Sequence, residues 1–569
     1  MVFSRIESKS GKSGSHQKPF SSVRLSGLCL RNWCSCYGLA LVLALAAIVS
    51  LGVAAGCGGD GNPPHHGPTP PPTTSPAPTP THAPPTPTST PASPTPTPPT
   101  PTPTPVGGQN PIPATATLPS TVGYNISYLG IPQYTCLRNW YLDPNGSDAN
   151  SGDSASAPWR TLTKADSSVE AGDCVNLAAG TYALNATVTL NHGGNVNSST
   201  GYVVYRGSTP LTGPGTGAHI VMNTRLGSIT TDSMGKFNGS IGHLITMYDP
   251  NNTAGYNSVN YLIFDGIEFD GNNNNVNGAC IQGSALHHIV VENNIIHGCG
   301  SGGTGFTGDY HWYINNLVYE NAGADFYYEG SGIDIYYAGS ALEWDPAFTP
   351  NAADKALPRH MILAFNNVHD NGVLPSGCPG TPHCGTNGEP YHTDGNGIIL
   401  DDWNHTQGDN NVYTGGALVV GNIAYNNGGA GIELYEATNV IAANNSTYNN
   451  YTDVEITGAN RGEIACGPCM SSQLINNATY AVVGSTAPLS DNTGYYINSQ
   501  SSSTAFTTNI GYPRNNGSAH GTGNQFGMDP YFAAGGNFIL QPGSPALGTG
   551  TLEPWLTSTT FVNIGQWQQ

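Results

Sequence analysis

VVENNIIH, residues 290–297, decides the fold because its pattern returns five times. WYINNLVY (312–319), LAFNNVHD (363–370), VVGNIAYN (419–426), AANNSTYN (442–449) and LINNATYA (474–481) each carry an asparagine with His or Tyr three residues on. The aligned asparagines, Asn294, Asn316, Asn366, Asn422, Asn445 and Asn477, are 22, 50, 56, 23 and 32 residues apart. The basic unit is therefore 22 or 23 residues, and the longer gaps are that unit plus insertions, the way a solenoid carries binding loops. Short β runs at this period, with no helical pattern, predict a parallel β-helix whose rungs stack at the ~4.8 Å strand spacing. A leucine-rich repeat would need leucines at fixed offsets, and a propeller a longer blade with Trp-Asp pairs. Neither is present. The asparagines are read as a structural ladder at turns, with no catalytic part.

A second strand precedes the asparagine phrase in each rung: GSGIDIYY (330–337), GNGIILDDW (395–403), GAGIELYEA (429–437) and TDVEITGA (452–459). With Ile333, Ile398, Ile432 and Val454 in one inward column, the two-residue strand period turns Asp334, Ile399, Glu433 and Glu455 outward. The next outward column is Tyr336, Asp401, Tyr435 and Thr457, with Glu329 above Asp394. The stretch HTDGNGIILDD (392–402) then concentrates the chemistry, because stacking gathers Asp334, Asp394, Asp401, Asp402 and Glu433 on one side. Like charges ~5 to 10 Å apart are costly unless a cation bridges them or some hold protons. Two uses follow: a Ca²⁺ site with Asp334, Asp394, Asp401, Asp402 and Glu433 as ligands, or a carboxylate pair acting as acid and base on a glycosidic bond. The bland alternative is a turn built by Asp, Asn and Gly for backbone reasons. Trp403, His392, Tyr336, Tyr435 and Glu433 are the candidate substrate contacts, Trp403 as a sugar-stacking platform. Lys355 and Arg461 are the candidate bases or carboxylate clamps, alongside Asp394, Asp401 and Asp402 as catalytic acids.

Charged residues make up only 9% of the 569, and the formal charge is −20. Six of the sixteen basic groups and two of the thirty-six acids fall in the first 60 residues, leaving the rest at −24. Such a surface repels nucleic acid and anionic lipid. A basic start, the apolar run LALVLALAAIVSLGV (39–53) and AAGC (54–57) read as a signal peptide ending in a lipobox, with Cys57 lipidated. Residues 58–113, dominated by Pro and Thr, read as an extended stalk. Residues 114–569 form the β-helix domain. The expected product is a monomeric, exported, surface-anchored protein that meets the membrane only through its lipid. The eight cysteines beyond Cys57 suit disulfides in an oxidising compartment, sequential pairing being the simplest connectivity. CGPC (466–469) is read as a local staple, because no βαβ unit surrounds it to make a redox site.

The opening segment, with Asn145-Gly146-Ser147-Asp148, Pro158-Trp159-Arg160-Thr161-Leu162 and Gly172-Asp173 to Gly180-Thr181-Tyr182, resembles right-handed parallel β-helix proteins of the pectate-lyase-like superfamily. The likeness is greatest to family-nine polysaccharide lyases and extends over residues 136–551. MDPYFAAGGNFILQPGSPALGTG near the C-terminus resembles the closure of such solenoids. The resemblance implies an all-β, right-handed parallel β-helix with inserted loops, acting on an acidic polysaccharide by Ca²⁺-assisted β-elimination with a lysine as base. The family's Asp-Asp-Gly-containing calcium motif is not reproduced here. HTD (392–394) and DD (401–402) also resemble motifs of polygalacturonase-type hydrolases, seven residues apart instead of a rung apart. A lyase is thus expected ahead of a hydrolase, with a non-catalytic glycan-binding surface protein as the third class.

Overall fold

The computed structural model describes residues 118–226, 241–248, 259–273, 275–323, 330–372, 394–406, 410–453, 456, 462–483, 492–513, 515–517, 521–533 and 538–568. Cys57, the stalk, Glu329, His392, Glu455 and Arg461 lie outside them, as do Cys378 and Cys384.

Each rung contributes three parallel strands, as in Ile432–Tyr435, Val440–Ala443 and Ser446–Tyr448. Repeated along the axis, they build three faces of a right-handed β-helix. The third face is an 11-stranded sheet of its own, while the first and second are counted as one 20-stranded sheet. The reason is local: Ala279–Glu292 and Gly302–Ile314 run through the corner between those faces without a break.

The asparagine ladder forms as the repeat predicts, at the turn between the second and third faces. Asn422 donates its backbone N–H and its Nδ2 to Asn445 Oδ1, at 2.9 and 3.0 Å, and its Nδ2 also bonds Leu363 O at 2.9 Å. Its own Oδ1 accepts the same pair of bonds from Asn366. The ladder continues beyond the six asparagines to Asn509 and Asn524. A second ladder, which the repeat phrase does not single out, follows five residues behind at the turn between the third and first faces: Asn321, Asn371, Asn427 and Asn450. The carboxylate of Glu463 ends it, accepting Asn450 N–H at 2.9 Å.

The second ladder explains the glycine before each first-face isoleucine. A Cβ on Gly397 would lie 2.6 Å from Gly431 O and 2.8 Å from Asn427 Nδ2, and one on Gly332 2.8 Å from Asn371 Nδ2. Neither neighbour can yield without breaking a bond of the coil. The interior beside these turns is apolar, with Ile281, Ile333, Ile398, Ile432 and Ile464 fully buried.

On the outside of the third face, the His and Tyr that close each phrase make a further column. His297, Tyr319, His369 and Tyr425 stack with centroids 4.8–5.2 Å apart and interplanar angles of 2–10°. Farther along, Tyr448, Tyr480 and Tyr512 do the same, and Phe532, Phe538 and Leu540 of the C-terminal segment pack over this end. The helix Leu162–Asp166 packs against the first strands, while Tyr124 and Leu556 join the two terminal segments over the second face. Disulfides join Cys136–Cys174, Cys280–Cys299 and Cys466–Cys469, in the sequential pairing expected, the last as the local staple.

One rung is corrected. Ile432 pairs with Ile464, so Gly462–Cys466 supplies the next first-face strand, while Val454 and Glu455 lie outside the described residues. Periodicity could not separate TDVEITGA from GEIAC, since both place an aliphatic residue beside an acid.

Replacing Asn422 by Ala strips Asn366 of the acceptor for its backbone N–H inside a dry turn. An unsatisfied buried donor costs ~1–3 kcal/mol in addition to the bonds lost, so N422A is expected to lower the urea midpoint with little change in slope. Gly397→Ala is expected to destabilise the coil comparably by backbone clash, read by the same titration.

Candidate functional site on the first face

Strand pairing fixes which side chains share the outer surface of the first face. Ile333, Ile398 and Ile432 are in register, as are Tyr336, Asp401 and Tyr435. Asp334, Ile399 and Glu433 therefore form one outward column, continuing to Gly305 and Gln282 on one side and to Ala465 and Tyr496 on the other. Asp401 sits in the neighbouring column with a tyrosine on the rung above and another on the rung below. One rung (~4.8 Å) combined with two residues along a strand (~6.6 Å) sets Asp401 about 8 Å, Cα to Cα, from both Asp334 and Glu433. The surface closes where Tyr451 and Ile456 pack with Ala465 and Tyr496.

The carboxyls feel one another. Burial, followed by the charge of Asp394, pushes Asp334 up to about 8. Asp401 lies well above the usual carboxylate range, chiefly through burial and then through Asp394, Asp334, Asp402 and Glu433. Tyr435 is pushed up to about 12, by burial first and then by Glu436, Asp401, Glu433 and Asp394. Although Asp334 and Asp401 retain some exposure, each has an enclosed Oδ1 with no hydrogen-bond partner among the described residues. In so poorly solvated a place the neutral acid is favoured at neutral pH.

The ends of HTDGNGIILDD fare differently. Asp394 and Asp401 join the acidic surface. Asp402, grouped with Asp401 in the sequence, leaves the strand with φ +52°, is fully buried and accepts from Thr406 Oγ1 at 3.4 Å. That left-handed residue re-aims the chain, so Trp403 turns inward between the buried Ala338 and Ala437. Trp403 is 0% exposed, donates Nε1–H to Ile335 O at 3.0 Å and meets Tyr413 edge-on at 5.2 Å. It is a core residue and cannot serve as the expected sugar platform. His405 is likewise buried, with Nε2 2.7 Å from Ala338 O and its ring on Tyr337.

Lys355 is not brought to these acids. It lies exposed on the helix Ala352–Ala356, whose Asp354 is held by His288 at 3.0 Å and by Asn197. That helix and Phe348 of the same insertion cover the outside of the second face and do not wall the first. The physical reason is the imidazole–carboxylate anchoring at His287–Asp345 and His288–Asp354, which the sequence left without partners.

Among the described residues no three His, Cys, Asp or Glu side chains are disposed to hold one metal ion. The five carboxylates expected to bind Ca²⁺ are spread over three rungs. Sequence reasoning passed over Gln282, whose only signal was its register two rungs ahead of Asp334. It also passed over two outward His–carboxylate groupings: Asp309 with His360 at 2.9 Å, and His219, Glu268, Asp270 and His297 on the third face.

No family model matches the chain, and no curated protein matches it. Solved structures that match include a pectate lyase, Pel9A, at 15% identity over 78% of this chain and 100% of that one, with a TM-score of 0.39. A rhamnogalacturonan lyase matches at 13% over 74% and 96%, TM-score 0.30. A protein titled glycoside hydrolase matches at 11% over 68% and 96%, TM-score 0.41.

A carboxyl whose pKa is raised on folding opposes folding as pH climbs from its unfolded value near 4 to its folded value, and by a constant amount above that. Asp334→Asn should therefore stabilise the chain by a gain that grows between pH 4 and about 8 and is flat beyond, reaching on the order of 1–3 kcal/mol after solvent screening. Melting curves at intervals across that range check it. A constant difference would mean that Asp334 is ionised in the folded chain.

Proposed function

We propose that this chain is an exported, polysaccharide-active β-helix protein whose first face hydrolyses a glycosidic bond by paired-carboxylate chemistry. The observation that carries the reading is the position of Asp401. It is enclosed between the rungs of Tyr336 and Tyr435, is raised well above the usual carboxylate range by burial and then by neighbouring acids, and lies one diagonal step from a second carboxylate. Glycoside hydrolysis needs such an unequal pair: a protonated acid to protonate the leaving oxygen and an ionised partner to activate water or attack. Asp401 is the acid and Glu433 its partner. The backbone separation of about 8 Å suits carboxyl groups ~6.5–9.5 Å apart, the spacing that admits a water and inverts the anomeric centre. Burial first, then the neighbouring Asp394 and Asp334, raise the Asp401 carboxyl.

β-Elimination on a uronate is the second reading. It needs a base together with a cation or guanidinium to neutralise the substrate carboxylate. Lys355 is on another face and Arg461 lies outside the described residues, so no elimination step is assigned to either. Ca²⁺ dependence is left to the test, and no step is routed through the ion. For export, the leader and Pro/Thr stalk are supported by the disulfides, which persist in oxidising compartments. Anchoring through Cys57 is part of the same proposal.

The test is to incubate the purified domain with neutral glycans, polygalacturonate and alginate, with Ca²⁺ or chelator, following reducing ends and the ultraviolet absorbance of unsaturated ends. Reducing ends without unsaturation, insensitive to chelator, are expected, with Asp401→Asn and Glu433→Gln each lowering kcat by about 10²–10⁴-fold. Unsaturated ends that vanish on chelation would replace hydrolysis by elimination. Glycan binding without cleavage, unchanged in Asp401→Asn, would place the protein among binding modules.

A further inference from the structure

On the outward side of the first face three oxygens lie without partners among the described residues. Asp334 Oδ1 and Asp401 Oδ1 have none among the described residues, and neither does Gln282 Oε1. Gln282 stands apart from the acids. It occupies the same outward column, two rungs or about 10 Å from Asp334, with Gly305 between them contributing no side chain. It is only 7% exposed, so its carbonyl is denied water as well as a protein donor, a costly arrangement unless a ligand supplies the hydrogen bond. Glu433 adds a further buried carboxylate, and the described strands of this face carry no Lys or Arg: the described basic residues are Arg138, Arg160, Lys164, Arg206, Arg225, Lys355 and Arg359.

A ligand matching this surface must bring N–H or O–H donors and must not bring negative charge. A uronate does the reverse, adding acceptors and a carboxylate to a place already crowded with acids. A sugar with a free amine brings three donors on a cation. We infer that the first face takes an amine-bearing glycan, a polymer of unacetylated amino sugars, with an ammonium group against Glu433 and donors reaching Asp334 and, at a subsite two rungs away, Gln282. The inference rests on reading this face as a glycan groove, and it names the class of glycan. It also removes the difficulty of a surface of excess acids, since the cationic polymer neutralises the column and its charge steers the encounter.

Oligomers of equal length made of glucosamine, N-acetylglucosamine and galacturonate are titrated into the exported domain by calorimetry at about pH 6, in low and high salt, without divalent ions. The glucosamine oligomer is expected to bind at least about tenfold tighter than its N-acetylated counterpart, with the advantage shrinking in high salt as exposed charge pairs are screened. Gln282→Ala should weaken that binding and Gln282→Glu strengthen it. Should Gln282→Ala fail to fold, the comparison of the three oligomers on the unaltered protein decides alone. Equal binding of acetylated and free-amine oligomers, or tighter binding of galacturonate, overturns the inference. Cleavage of a neutral or uronic glycan with no affinity for the amine oligomer would leave the hydrolytic reading standing and sink this one. Tight binding of the amine oligomer with no cleavage would do the opposite.

Discussion

The structure depends on one hydrogen-bond unit, the asparagine side chain at the turn between the second and third faces. A parallel coil has sharp turns at which backbone groups leave the sheets and would be buried without partners. Asparagine is suited to the task because it carries an acceptor and a donor on one short side chain. Asn422 Oδ1 takes the N–H of Asn366 while Asn422 Nδ2 reaches Leu363 O and the next asparagine. Each rung thereby completes the one before it. The second ladder repeats the device at the next corner, and the glycines before the first-face isoleucines leave room for it.

With both corners satisfied internally, the outer surfaces are released from structural duty. The third face spends its freedom on stacked rings whose faces are turned to one another and partly covered by the C-terminal segment, so that little ring surface is offered to a ligand. The second face is covered by the terminal segments and by the insertion anchored through His287 and His288. Among the described residues the first face keeps Asp334, Asp401 and Glu433 outward beside Tyr336, Tyr435 and the unpartnered amide of Gln282, and the chemistry is proposed there. Burial first, with neighbouring acids adding to it, raises both Asp334 and Asp401.

Much of this was legible in the residues. The 22-residue step, the stacked asparagines and the register of Ile333, Ile398 and Ile432 follow from strand periodicity alone, and with them the outward direction of Asp334, Asp401 and Glu433. Legibility failed where the chain leaves that period. Trp403 follows a left-handed residue, so counting by twos sent it to the wrong side. The rung after Ile432 was misplaced because an aliphatic–acid pair occurs in both TDVEITGA and GEIAC. Lys355 was drawn toward the acids by proximity in sequence, whereas its helix is held elsewhere by a buried His–Asp pair.

By itself the sequence determined the coil and the identity of its acidic face, because both rest on short-range periodicities: two residues along a strand and about 22 around a rung. Only the tertiary structure decided that burial raises Asp334 and Asp401, that Trp403 belongs to the core, and that Gln282 shares the column of Asp334. Those facts depend on burial and on how the rungs are set against one another, and the energies of enclosure and of unpaired buried atoms exist only once the rungs have stacked.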